Sequence, residues 1–324
     1  MRPHDPSRLA THRLSLDHVE RAARTINPLF LHSPQFACEP LGAALGARLS
    51  VKVETMNPIR CFKGRGADYL VAQARPGEPL LCASAGNFGQ AMAFAARARG
   101  HALTVYASVN ANTLKIDRMR ALGATVILDG EDFDAAKQAA RAAAAASGAR
   151  FVEDGLDLET LAGAGTIALE WLQAADVPDV FCIPLGNGAL FSGFARVVKA
   201  LRPAARMIAV QAAGAPAMIE SWKAGRLIEH DRIDTIADGI GVRVPIAQAL
   251  DDLRDLIDDA LLVSEPAIRR AMQLIHEHTG LVAEPSAAVG VAALLEHSAQ
   301  LHDQHVGTVL CGSNVTAQQL RDWF

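Results

Sequence analysis

The feature that most constrains this chain is an alternation of short apolar runs with amphipathic, alanine-rich segments, starting near Leu49 and lasting almost to the C-terminus. LLCAS, QAMAFAARARG, ALTVYAS, TLKIDRMRALG and ATVILDG follow one another. ARFVED, LAGAGTIALEWLQAAD, DVFCIPLG, ALFSGFARVVKALRP, RMIAVQAAG and HVGTVLCGSN continue the series. Period-2 or continuous apolar runs predict strands and the 3.6-residue pattern predicts helices, so the chain is a succession of βαβ units. Such units build parallel sheets covered by helices, an α/β fold. At 324 residues the chain exceeds a usual single core, and two lobes are expected, each a mainly parallel sheet flanked by helices. The AAKQAARAAAAASG segment reads as a helix that Gly148 can cap, closing the first set of units. On that basis the small lobe covers 49–150, and the large lobe covers 1–48 together with 151–324.

Charge excludes several functions. A formal net charge of -4 offers no broad basic surface to a nucleic acid or an anionic membrane. No apolar run is long enough to span a bilayer, and the first 25 residues lack the apolar core of a signal peptide. The five cysteines are scattered and odd in number, without metal-type pairs, as expected of reduced thiols in a cytoplasmic protein. His276 and His278 lie two apart and do not share a helix face, so no metal is expected from them.

Four segments place small or polar residues where an apolar strand ends, the position at which open α/β sheets bind ligands. In VKVETMNPIRCFKGRGADYL a strand, a proline turn and a helix start put the Lys63 amine at a cleft, where it can form an imine with an aldehyde cofactor. In CASAGNFGQAMA the turn through Ser84, Ala85, Gly86 and Asn87 opens a helix, an anion cradle suited to a substrate carboxylate. In FCIPLGNGALFSGFA the small residues Gly186, Asn187, Gly188 and Ala189 let the backbone close around a phosphate at a helix start. That loop is neither a G-x-G-x-x-G nor a Walker sequence, which weakens a Rossmann-type oxidoreductase as the alternative from another class. The fourth, TVLCGSNVT, ends a strand at Cys311.

Read in order, these segments resemble the fold type II pyridoxal-phosphate enzymes, and within them the threonine/serine dehydratases, the ammonia-lyases. The resembling boxes are P-x-x-S-F-K-x-R-G-A at Pro58 to Ala67, S-A-G-N-H at Ser84 to Phe88, and P-x-G-G-G-G-L-x-S-G at Pro184 to Gly193. A-D-G-I-A-V at Ala237 to Val242, E-P at Glu284 and Pro285, and S-G-G-N at Cys311 to Asn314 complete the set. The resemblance implies a pyridoxal 5'-phosphate cofactor bonded to Lys63, with Phe62 beside its ring and Asn87 on its 3'-oxygen. It implies a phosphate held by Gly186, Asn187, Gly188, Ala189 and Leu190, and Cys311 facing the pyridine nitrogen. It places the substrate carboxylate at Ser84, Ala85, Gly86 and Asn87. The implied reaction is α,β-elimination from a β-hydroxy amino acid such as L-threonine or L-serine, giving a 2-oxo acid and ammonia, in a homodimer.

Departures from the pattern qualify the substrate. Cys61 and Phe88 replace a serine and a histidine, and Asn187 and Ala189 replace two loop glycines. Gln211 stands where the family strand often carries a cation-binding acid, so no metal is expected. Arg60 reads first as a surface or structural cation; the alternative is that it binds an extra acidic group on the substrate, as in 3-hydroxyaspartate. Ala85 cannot move a proton as the racemases' serine does, and the boxes of β-replacement enzymes are absent. Hydroxyaspartate or diaminopropionate ammonia-lyase, racemisation and β-replacement remain the other reactions of this scaffold. No appended regulatory domain is expected after the Cys311 box.

Overall fold

The computed structural model describes residue 9, residues 11–111 and residues 113–324. Its strands are β1 (Gln35–Ala37), β2 (Arg48–Val53), β3 (Leu80–Ala83), β4 (Leu103–Ala107) and β5 (Thr125–Leu128). They continue with β6 (Arg150–Val152), β7 (Val180–Pro184), β8 (Arg206–Ala212), β9 (Asp259–Val263) and β10 (His305–Leu310). A six-stranded sheet runs β1-β2-β10-β7-β8-β9, and a four-stranded sheet runs β5-β4-β3-β6. Only β1 is antiparallel to its neighbour. The expected α/β architecture with two mainly parallel sheets is therefore present.

Burial follows position in each sheet. Every residue of β3, β7 and β10 is buried, because helices cover both faces, and these strands are the continuous apolar runs of the sequence. Outermost in the smaller sheet, β5 has no buried residue. The alanine run forms the helix Phe133–Ser147. Asp132 caps it by accepting from Ala135 N at 2.8 Å, and Gly148 ends it in the left-handed region at φ 72°. Ala136, Ala140 and Ala144 recur every four residues and form its buried face.

Two expected boundaries move. β2 hydrogen-bonds between β1 and β10 in the larger sheet, so the chain leaves that sheet after Val53 and not after residue 48. β6 pairs with β3, so the smaller sheet extends past residue 150 to Val152. Among the described residues no helix is long and apolar enough to cross a membrane.

Two helices fix the approach to the cavity described below. Helix Lys63–Ala72 crosses helix Leu158–Trp171 at a pair of glycines, where a Cβ on Gly163 would sit 2.4 Å from Gly66 Cα. Backbone occupies that space, so Gly163→Ala must push the helices apart. A loss of about 1–3 kcal/mol in unfolding free energy is expected, read from the urea midpoint.

Candidate active site

The carboxyl ends of β3, β6, β7 and β10 converge on one cavity of about 600 Å³, a size in the ordinary range for ligand sites. Ser84 follows β3, Asp154 follows β6, Gly186 follows β7 and Cys311 follows β10. Lys63 reaches the same cavity as the first residue of its helix. Of the residues expected from sequence, Phe62, Lys63, Ser84, Ala85, Gly86, Asn87, Gly186, Asn187, Leu190 and Cys311 line it. Gly188 and Ala189 do not. Gly188 takes φ 104° immediately before helix Ala189–Leu201, and Ala189 is buried in that helix's first turn.

Lys63 is held by residues at strand ends of both sheets. Its Nζ lies 4.8 Å from the centre of the Phe62 ring and pairs with Asp154 Oδ2. Asn187 Nδ2 donates to the same oxygen at 2.7 Å and to the Asp154 carbonyl at 3.0 Å. Phe62 N donates to Cys311 O at 3.0 Å, and Cys61 bridges Gly312, so the lysine loop is tied to the end of β10.

Asn87 is fixed from two sides. Its Nδ2 donates to Glu284 Oε1 at 2.8 Å, and its Oδ1 accepts from Asn314 Nδ2 at 2.9 Å. The buried Glu284 also accepts from Asn314 N at 2.9 Å. Burial raises the Glu284 carboxyl above its ordinary value and nearby Asp238 adds to the rise. The Asn314 N–H, Lys115 and the Asn87 amide oppose it. Ser84 Oγ accepts from Gly89 N at 2.9 Å and Gly86 N at 3.2 Å, which shapes the turn into helix Asn87–Arg99. Burial, then the nearby Glu284 charge, pushes the Cys311 thiol well up, so the thiol stays protonated and neutral.

The donor set fits pyridoxal phosphate. An amine for the aldehyde stands at Lys63, and an uncharged thiol for the ring nitrogen at Cys311. Gly188 gives no side-chain cap to the helix start, where Asn187 Oδ1 takes Ala189 N, and the other first-turn N–H groups are left for a phosphate. Ser286 Oγ, also lining the cavity, is buried without a hydrogen-bond partner, an unused donor where a ligand would supply an acceptor.

Sequence reasoning missed Asp154, Ser286 and the rim of the cavity. Ser286 directly follows the Glu284-Pro285 box, and its position one residue into a proline-started helix was the available signal. At the rim, Lys115 pairs with Asp238, and Arg243 pairs with Asp134. No local pattern marks partners so far apart in the chain. Arg60 takes the surface position and not the substrate-binding one. It is exposed, takes φ 56°, offers its carbonyl to Ser313 N at 2.9 Å and is absent from the cavity lining, because the turn before Cys61 directs it outward. Gln211 is fully buried and its Oε1 accepts from Ile219 N at 3.1 Å.

Comparison with known proteins gives consistent findings. The family model described as "Pyridoxal-phosphate dependent enzyme" matches residues 26–312. An L-threonine ammonia-lyase of Thermotoga maritima is 33% identical over 312 residues, covering 95% of this chain and 77% of the relative. An L-threonine ammonia-lyase of Geobacter sulfurreducens is 34% identical over 295 residues, covering 90% and 72%. The structure of maize serine racemase superposes with a TM-score of 0.89 at 28% identity, covering 95% of this chain and 96% of that one.

Proposed function

The chain belongs to the pyridoxal-phosphate dependent enzymes, and from that premise we propose that it is an ammonia-lyase that converts a β-hydroxy amino acid, such as L-threonine or L-serine, to a 2-oxo acid and ammonia. Pyridoxal 5'-phosphate is its cofactor, and that membership displaces a nicotinamide-dependent reaction. The observation that carries the reading is the meeting, in one cavity, of the Lys63 amine with a Cys311 thiol that burial keeps neutral. The names of the ammonia-lyase relatives support it.

Bound pyridoxal phosphate supplies an aldehyde for capture by an amine and a ring that delocalises the electron pair left when an α-hydrogen departs. Lys63 would hold the cofactor through its aldehyde and, as a free amine, would take the α-proton of the substrate as general base. Cys311 would stand at the ring nitrogen. A neutral thiol cannot enforce a charged ring as a carboxylate would, so loss of a β-hydroxyl competes well with other outcomes. Phe62 would pack beside the ring, Asn87 would donate to its 3'-oxygen, and the backbone from Gly186 to Leu190 would hold the phosphate. The turn of Ser84, Ala85, Gly86 and Asn87 receives the substrate carboxylate through its N–H groups.

Ala85 lines the cavity with no proton to give, which argues against racemisation despite the likeness to maize serine racemase. A cytoplasmic homodimer, with the two sheets as its large and small lobes, belongs to the same reading. The test is turnover of L-threonine, L-serine, 3-hydroxyaspartate, diaminopropionate and a β-activated serine by the cofactor-loaded protein. Ammonia, 2-oxo acid and the opposite enantiomer are followed together. Equal moles of ammonia and 2-oxo acid from a β-hydroxy amino acid are expected. Enantiomer formation without ammonia would assign the site to racemisation.

A further inference from the structure

The contact at the Lys63 nitrogen involves a group that the mechanism above does not use. Asp154 stands in the turn after β6 with its carboxylate on Lys63 Nζ, and both side chains are only 13% exposed. That carboxylate is built in. Gly155, next in the chain, takes φ 84°, and a Cβ there would lie 2.8 Å from the Asn187 carbonyl oxygen, so the turn and the loop after β7 are in direct contact. Glu153 N donates to Asp157 Oδ2 at 2.6 Å and Gly155 N donates to Thr160 Oγ1 at 3.2 Å, which pins the turn from its other side.

Asn187 completes the arrangement by donating from Nδ2 to both the side chain and the carbonyl of Asp154. Its Oδ1 accepts from Ala189 N at 3.2 Å, so the amide is oriented by the helix start and its side chain is committed to Asp154. The glycine of the resembling loop has no amide to offer in this place. Cys61 and Cys311 interact electrostatically with Lys63, and Glu284 with both thiols. Glu284 is engaged by Asn87 and Asn314, and burial keeps both thiols in their neutral form.

We propose that Asp154 is a further catalytic residue, its carboxylate holding the proton on the Lys63 nitrogen, with Asn187 as the positioning residue that orients it. The proposal rests on Lys63 being the cofactor-bonding lysine. A carboxylate in contact with a basic nitrogen favours its protonated form. A proton that Lys63 takes from the substrate is therefore retained on its nitrogen, with no transfer to Asp154, which disfavours its return to the same carbon. Retention of that proton favours elimination over exchange of the α-hydrogen.

The test uses the holoenzyme and a spectroscopic readout. The visible absorbance of lysine-linked pyridoxal phosphate reports the protonation of the linkage nitrogen, so its pH titration reads the effect of Asp154 directly. Asp154→Asn preserves shape and removes the charge. At an alkaline pH where both spectral forms are populated, the ratio of protonated to unprotonated form is expected to fall about tenfold. Asn187→Ala should lower it less, and the double variant should match Asp154→Asn, since the effect of the Asn187 amide on this nitrogen runs through Asp154. An unchanged ratio in Asp154→Asn, in a variant with full cofactor loading and the parent's unfolding midpoint, would overturn the proposal. If the visible band survived Lys63→Ala, the assignment of Lys63 and this inference would both be lost, an outcome distinct from the first.

Discussion

Lys63→Ala is expected to lower turnover of the amino-acid substrate by about 10³-fold or more and to abolish the visible band of lysine-linked cofactor, while leaving the unfolding midpoint nearly unchanged. The size follows from removing in one step the cofactor's covalent partner and the general base, each a large contributor to rate. The fold should tolerate the change. The main charged partner of Lys63 is Asp154, which keeps two hydrogen bonds from Asn187 and sits at the cavity, where water can reach it. Lys63→Arg separates charge from chemistry, since a guanidinium can still pair with Asp154 but cannot bond the aldehyde. It should be as inactive as the alanine variant. Turnover and the absorbance spectrum, measured on the same preparations, check both expectations.

The largest effect on stability is expected two residues further along the same helix. Arg65 is fully buried and donates to Glu54 at 2.8 Å through both Nε and Nη2, to Glu170 at 2.6 and 3.0 Å, and to Thr166 at 2.9 Å. Lys52 Nζ joins Glu170 at 2.9 Å. This network ties β2 and its following residue to helices Lys63–Ala72 and Leu158–Trp171. Arg65→Met would leave two carboxylates without their shared cation in a buried site, at a cost of about 3–5 kcal/mol. Burial alone would raise the Glu170 carboxyl, but the Arg65 hydrogen bonds and charge, helped by Lys52, hold it down to about 2.

The sign for pH follows from that depression. Glu170 contributes stability at pH above the ordinary carboxylate range, and the contribution is lost as pH falls toward about 2. In Arg65→Met the Glu170 carboxyl titrates closer to its ordinary value. Stability should then start lower at neutral pH and decline less steeply through the acid range. Denaturant unfolding at a series of pH values measures both the drop and the slope.

The parts of the site that were legible from sequence are those written in local pattern. β3, β7 and β10 are apolar runs broken by small residues, so Ser84, Gly186 and Cys311 could be placed at strand ends before any coordinates. Lys63 could be placed between a proline turn and a helix start. What stayed hidden is carried by pairs distant in the chain. Asp154 lies 91 residues from Lys63, and nothing in VEDGLDLE marks it as the partner of that amine. The lobe boundaries slipped for a related reason, because β2 and β6 are short apolar runs whose sheet is decided by their neighbours and not by their own letters. The substrate-ligand alternative for Arg60 rested on its place three residues before Lys63. The positive φ at that residue, which turns it outward, has no signature in a residue type that rarely adopts it.

The most direct test of the account is to reduce the cofactor-loaded protein with borohydride and locate the trapped pyridoxyl group by peptide mass spectrometry. The label is expected on the peptide containing Lys63, in stoichiometric yield. A label on any other lysine, or none after full cofactor loading, would contradict the placement of the chemistry at this cavity.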